Sequence, residues 1–298
     1  RGGGGLGRVS SQPRVAPVAM LASQVRLDEK RLLAAMDRRG FCYELADTRA
    51  LWSTAGGKAS RWRGVLNREI SQVRAVYSAR TLESLGIPVL NRAAAIQVCG
   101  DKWQTSLALA AANVPMPRTA LGLTPEAALE ALEEIGYPAL VKPLVGSRGR
   151  LIAKLRDRAM AEDVFEYVKA LPGPQSHLVY VQELIAKPAR DIRAMVVGGE
   201  LVGAAYRVSA DIRTNVARGA RTQRCPETAD IRQRAIAAAA AVSADIAAVD
   251  LVEDTTGEIL VVEVNHRAEF SGLQLALGDR VDVADRIVDY LAARAAQW

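Results

Sequence analysis

Aromatic residues make up only 5% of the 298 positions, while Ala, Val and Leu are plentiful. With 50% of residues hydrophobic, that aliphatic surplus points to helices packed on sheets and leaves little room for disorder outside the ends. Histidine is rarer still. His177 and His266 stand alone, which excludes a histidine metal cluster, and no G-x-S-x-G elbow supports a Ser-His-Asp hydrolase. Cys42, Cys99 and Cys225 are odd in number, far apart and outside any C-x-x-C pair, so buried thiols are expected in place of a disulfide framework or structural zinc. No run approaches the ~20 apolar residues of a membrane span, and no secretory signal is visible, so a cytoplasmic protein is expected.

What is present suggests a chain of two or three lobes, each able to bury its own core. Residues 1–17 lack periodicity and read as a disordered leader. Their glycines do not form a phosphate loop, because no strand precedes them and no Lys-Ser/Thr follows; Gly56-Gly57-Lys58-Ala59-Ser60 likewise misses the G-x-x-x-x-G-K-[ST] spacing and reads as a solvated loop. From residue 18 short apolar strands at 18–22, 41–45, 65–67 and 89–90 alternate with helices at 28–39 and 74–85, a doubly wound α/β lobe over 18–96.

A middle lobe is expected over 97–184, with helices at 101–113, 124–135 and 163–170 and strands at 139–143, 151–155 and 179–184. Thr124 and Pro125 supply the cap and first turn of one helix. The remainder, 185–298, reads as α+β: a hairpin around Gly198-Gly199, an alanine-rich helix, strands at 247–251 and 259–264 and a closing helix at 283–293. A cleft between the last two lobes is a natural nucleotide site.

Side chains alternate on a strand, so Glu263 and Asn265 share a face, and Asp250 can meet them if the two strands pair. Such hard oxygen donors suit Mg²⁺ shared with substrate phosphates. Lys142 at a strand end can place a compact charge on a phosphate. Lys102 opens a helix, where a cation opposes the dipole unless an anion joins it. Gly146 to Arg150 lie between two strands, as a turn or as a lid over phosphates. Arg190, Arg193, Arg207, Arg213, Arg218, Arg221 and Arg224 are dense without interleaved aromatics, which argues against single-stranded nucleic acid and suits capture of carboxylates and phosphates. The net charge of +6 favours an anionic partner.

In order, G-D-K-W (100–103), L-V-K-P-L-V-G-S-R-G-R-L (140–151), V-Q-E-L-I (181–185), R-D-I-R (190–193), R-T-N-V-A-R-G (213–219), A-V-D-L (248–251) and V-E-V-N-H (262–266) resemble the ATP-grasp ligases of the RimK and LysX group. The resemblance implies an ATP-grasp fold behind a Rossmann-like preATP-grasp lobe. It implies ATP bound by Lys102, Lys142, a lid with Gly146, Ser147 and Gly149, a hinge of Gln182, Glu183 and Leu184, and nearby Asp191. Magnesium, as two ions with manganese as a substitute, would sit on Asp250, Glu263 and Asn265; Arg193, Arg213 and Arg218 would serve catalysis, and Arg207, Asn215, His266 and Arg267 the substrates.

Within the group, T-N-x-A-R-G and E-V-N-H look closer to the LysX type, which joins the α-amine of 2-aminoadipate or glutamate to the C-terminal glutamate of a small acidic carrier protein. A basic ligase suits that partner. A dimer or tetramer is expected, without membrane or nucleic acid. The sequence departs from the group at Arg148, where Trp is common, and at His266-Arg267-Ala268-Glu269-Phe270 in place of N-H-T-M-E-F. Arg267 either pairs with a substrate carboxylate or faces solvent. A RimK-type glutamate ligase, a non-catalytic ATP-binding module and a basic nucleic-acid binder are the competing readings, and the intact oxygen donors favour turnover.

Overall fold

The computed structural model describes residues 15–57, 61–146, 151–208 and 221–298. The leader, apart from residues 15–17, lies outside these, as do Lys58, Ser147, Gly149, Arg213, Asn215 and Arg218.

The first sheet is parallel. Strands β1 (Val18–Leu21), β2 (Tyr43–Ala46), β3 (Gly64–Asn67) and β4 (Val89–Leu90) lie in the order β2-β1-β3-β4. Such connections need crossovers, supplied by helices α1 (Leu27–Arg38) and α2 (Gln72–Ser84). Strand β1 is wholly buried, since both faces are covered: Val18 and Met20 pack with α1 while Ala19 and Leu21 pack with α2. Two short helices follow, α3 (Ala93–Cys99) and α4 (Lys102–Ala111). Helix α3 was not foreseen; its seven residues give too little periodicity to stand out.

The second sheet is antiparallel, ordered β5-β8-β6-β7, from β5 (Thr119–Gly122), β6 (Ala139–Lys142), β7 (Ala153–Leu155) and β8 (Val179–Glu183). Helices α5 (Pro125–Ile135) and α6 (Arg158–Lys169) cover one face and bury Ala128, Leu132 and Phe165. Thr124 caps α5 by accepting from Ala127 N at 3.2 Å, with Pro125 in the first turn, as expected. Helix α6 begins five residues before its sequence expectation at 163, because Asp157 caps it by accepting from Met160 N at 2.8 Å.

The third sheet, also antiparallel, is ordered β11-β10-β9-β12-β13: β9 (Arg190–Val197), β10 (Glu200–Val208), β11 (Arg221–Arg224), β12 (Ile246–Glu253) and β13 (Ile259–Asn265). The β9–β10 hairpin turns at Gly198 and Gly199, both at positive φ (59° and 82°), which glycine adopts without steric cost. Helix α7 (Ala229–Ala241) lies on one face; its buried alanines Ala235, Ala238 and Ala239 pack against Ile192, Ala194, Val249 and Val264. On the other face Met195, Ala205 and Ala248 meet α8 (Ser271–Leu277) and α9 (Val283–Ala295), which also pack on α1. Between β12 and β13 the register jumps from Asp250↔Glu263 to Leu251↔Val261, so Val262 is an extra, bulged residue.

Asn91 ties the first lobe to the third. Its amide donates to the carbonyls of Ile246 and His266, both at 2.7 Å, and accepts from Ile246 N at 2.9 Å. Among the described residues no helix is long and apolar enough to cross a membrane.

Candidate functional site

The registers of the third sheet determine what its exposed end displays. Arg207 opposes Asp191, Arg193 opposes Asp250, Asp250 opposes Glu263, and Asn265 lies two residues beyond Glu263 on the same face. Six polar side chains therefore form one row, continuing the face that is apolar at Met195 and Ala248. Arg207 grips Asp191 with Nε to Oδ1 at 2.6 Å and Nη2 to Oδ2 at 2.9 Å, a bidentate pair, and its Nη2 lies 3.3 Å from Asp250 Oδ1. Arg193 Nη1 donates to the same Asp250 oxygen at 2.9 Å. Burial pushes the Asp250 carboxyl up, but the two guanidiniums outweigh it and hold it below the ordinary value.

The second sheet supplies the opposite wall. Lys142 ends β6, is 8% exposed, and donates to Gln182 Oε1 at 2.6 Å. Burial, reinforced by the charge of Lys102, brings its ammonium down to about 8. The Gln182 amide nitrogen is itself held by Thr119 and Tyr180, so this side chain positions Lys142. Lys102 begins α4, whose N-terminus Asp101 caps by accepting from Trp103 N and Gln104 N. Its Nζ donates to Gly146 O at 3.0 Å and stands 3.9 Å from Glu263 Oε1.

A cavity of about 400 Å³ lies between these walls. Every sequence-predicted site residue within the described residues lines it: Lys102, Lys142, Gly146, Gln182, Glu183, Leu184, Asp191, Arg193, Arg207, Asp250, Glu263, Asn265, His266 and Arg267. Arg267 does not face bulk solvent: its side chain is 17% exposed and pairs with Glu269 at 2.5 Å. The Glu183 side chain turns to Arg118 at 3.2 Å, and the backbone amides of Glu183 and Leu184 donate to Arg118 O at 2.8 Å and Pro138 O at 3.2 Å. Arg190, Arg221 and Arg224 stay outside the cavity lining.

Sequence reasoning missed the apolar wall of Leu140, Ile152 and Ile185, together with Gln72, Lys187 and Glu269. Gln72 enters from α2 and accepts from His266 Nε2 at 3.0 Å while donating to Ile96 O at 2.7 Å. A Cβ on Gly100 would lie 1.8 Å from the Gln72 amide nitrogen, so a side chain there would displace that amide. Burial, with Arg267 and Arg68 nearby, brings His266 down to about 3 and keeps its ring neutral.

Divalent-metal fit rests on the donor set. Glu263, half-exposed, and Asn265 present hard oxygens side by side, and both arginine contacts of Asp250 fall on Oδ1. Among the described residues no three His, Cys, Asp or Glu side chains converge on one point, so an ion here would draw further ligands from an amide and from a bound phosphate. Protein ligands few in number, beside two lysines, fit an ion that arrives with a nucleotide.

Residues 99–291 match the RimK-like ATP-grasp domain and residues 18–98 the LysX preATP-grasp domain. The chain is 29% identical to the glutamate–LysW ligase ArgX of Sulfolobus acidocaldarius, covering 92% of this chain and 97% of that one. It is 30% identical to the α-aminoadipate–LysW ligase LysX of Saccharolobus solfataricus, over 78% and 83%. The crystal structure of an ATP-grasp RimK domain protein from Sphaerobacter thermophilus superposes with a TM-score of 0.76 at 29% identity, covering 92% of this chain and 99% of that one.

Proposed function

Because this chain belongs to the RimK-like ATP-grasp family of ATP-dependent ligases, which use ATP and a divalent metal, we propose that it joins the α-amine of an amino acid to the C-terminal glutamate of a small acidic carrier protein. The carrying observation is the row Arg207-Asp191-Arg193-Asp250-Glu263 facing Lys142 across one cavity. It combines anion-binding cations with oxygen donors at a single place, as phosphoryl transfer to a carboxylate requires.

In this mechanism Leu140, Ile152, Leu184 and Ile185 sandwich the adenine, and Gln182, Glu183 and Leu184 form its hinge. Lys102 and Lys142 neutralise phosphate charge, and Gln182 keeps the Lys142 ammonium aimed. Gly146, Ser147 and Gly149 are assigned to the nucleotide phosphates, and Asp191, near the nucleotide, fixes Arg207. Asp250, Glu263 and Asn265 would hold Mg²⁺, proposed as two ions, with Mn²⁺ as a substitute. The metal supplies charge neutralisation of the phosphates. Arg193, with Arg213 and Arg218, orients the carboxylate for attack on the γ-phosphate. The incoming amine then attacks the carbonyl carbon of the acyl phosphate, the C–N bond forming as the acyl C–O bond breaks and inorganic phosphate leaves. The amine proton passes to that phosphate or to solvent, so each cycle makes one amide, ADP and phosphate. Arg207, His266 and Arg267, which line the cavity, and Asn215 are assigned to the substrates. No side chain acts as a nucleophile; positioning and charge carry the rate.

The close resemblance to carrier-protein ligases over nearly the whole chain and the +6 charge support the acidic carrier. Lobes at 18–96, 97–184 and 185–298, a dimer or tetramer and a cytoplasmic location complete the proposal. It is tested by ADP release with Mg-ATP, acidic amino acids and a carrier ending in glutamate, followed by mass spectrometry of the carrier. A gain of one amino-acid residue, lost in Glu263→Ala, is expected; ADP without a modified carrier moves the acceptor elsewhere, and no ADP under any condition overturns ligase activity.

A further inference from the structure

The segment Arg267-Ala268-Glu269 borders the cavity where Arg193 ends, since Arg193 Nε donates to Glu269 O at 3.3 Å while its Nη1 holds Asp250. Arg26, at the foot of α1, donates to Glu269 Oε1 at 2.8 Å. Arg267 Nη2 meets that same oxygen at 2.5 Å. Two guanidiniums thus crowd one carboxylate oxygen, while Oε2 accepts nothing among the described residues. Arg267 Nη1 is buried and also has no partner. Arg31, Arg63, Arg190, Arg234 and Arg294 carry such nitrogens too, so what sets this pair apart is its place on the cavity lining beside the Glu269 Oε2 oxygen.

Three further contacts make the segment rigid. Arg68 donates to the Arg267 carbonyl and is anchored on Glu29 at 3.0 Å. Asp28 accepts from Phe270 N at 3.0 Å and from the Ser271 hydroxyl. The cation and the carboxylate, two residues apart, are therefore preorganised beside the row of Asp250.

We propose that Arg267 and Glu269 form one seat for the zwitterionic head of the amine-bearing substrate, Arg267 taking its carboxylate and Glu269 Oε2 holding its amine. This rests on the ligase function proposed above and narrows the substrate class to a free amino acid with an unblocked carboxylate. A simple amine would leave Arg267 unsatisfied, and an N-blocked compound would leave Glu269 so. Arg26 is the positioning residue: it belongs to the first lobe, so the seat is completed across the lobe boundary. Burial pushes the Glu269 carboxyl up, but Arg267 and Arg26 overcome this and bring it to about 2, so it stays ionised and orients the amine without serving as its base.

The test is steady-state ADP release with Mg-ATP, carrier, and L-glutamate or L-2-aminoadipate. Glu269→Gln and Arg267→Gln should each raise KM for the amino acid at least tenfold with KM for ATP within twofold, and Glu269→Asp should recover part of the loss. The wild type should reject the α-carboxamide of the same amino acid at least tenfold, and Arg267→Gln should erase that preference. An unchanged KM for the amino acid in both glutamine variants, or an equal rise in KM for ATP, overturns the seat. If the wild type releases no ADP, the ligase function falls on its own, and calorimetry of both amino acids onto the wild type and Glu269→Gln decides the seat. Weaker binding to the variant supports it; equal binding, or none to the wild type, overturns it.

Discussion

Replacing Lys142 with Met should stabilise the empty protein while removing nucleotide binding. Burial lowers the Lys142 ammonium from 10.5 to about 8, and 1.36 kcal/mol per unit makes the folded chain roughly 3 kcal/mol less stable at pH 7 than with a neutral side chain there. Met removes that cost and keeps the aliphatic stem. It also orphans Gln182 Oε1, which now accepts from Lys142 at 2.6 Å, at a cost of about 1–2 kcal/mol. The net gain is about 1–2 kcal/mol, and at roughly 2–4 °C per kcal/mol for a large chain the melting temperature should rise by about 2–8 °C. The pH dependence identifies the cause. With the folded value depressed, the unfolded chain binds the extra proton between about pH 8 and 10.5, so wild-type stability rises with pH across that window. The advantage of Lys142→Met should therefore shrink by roughly 1 kcal/mol from pH 7 to 9. Melting curves of both proteins at the two pH values, compared as differences, check this. A gap that stays constant with pH, or a variant less stable at pH 7, refutes the account.

Arg207→Met leaves Asp191 and Asp250 without their shared cation and should cost about 3–5 kcal/mol in urea unfolding, part of it recovered by adding Asp191→Asn. Asn91→Ala strands three buried backbone groups at the joint between the first and third lobes and should cost about 3 kcal/mol, seen as a lower urea midpoint. Gly100→Ala displaces the Gln72 side chain, losing two hydrogen bonds of about 1 kcal/mol each against a gain of about 0.5 kcal/mol from a stiffer unfolded chain, so its melting temperature should fall by a few degrees.

Half of the polar row was legible because strand alternation is a local rule: Glu263 and Asn265 share a face in any extended segment, and Asp250 needed only one pairing to join them, whereas Asp191, Arg193 and Arg207 were placed at the site by family resemblance alone. Lys142 was visible for the same reason, as the one charge closing an apolar strand. The apolar wall was not, since Leu140, Ile152 and Ile185 carry no mark distinguishing a ligand-facing aliphatic from a core one. Strand β5 escaped notice because it is an edge strand, only its last residue buried, with no apolar run to mark it, and helix α8 because seven residues make too short a helical pattern. The contacts of Arg26 and Asp28 with residues 269–271 were beyond reach for a different reason. More than 240 positions separate the partners, and nothing local in either segment announces the other.

The bulge at Val262 works as a shim. Val261 and Val264 both belong to the layer against α7, a spacing of three that a regular strand would not allow, and the surplus residue lines the cavity. Taking that one residue out would restore plain alternation and leave Glu263 and Asn265 on their present side. Removing one in-frame codon would thus redraw this wall of the cavity while its charged side chains kept their face.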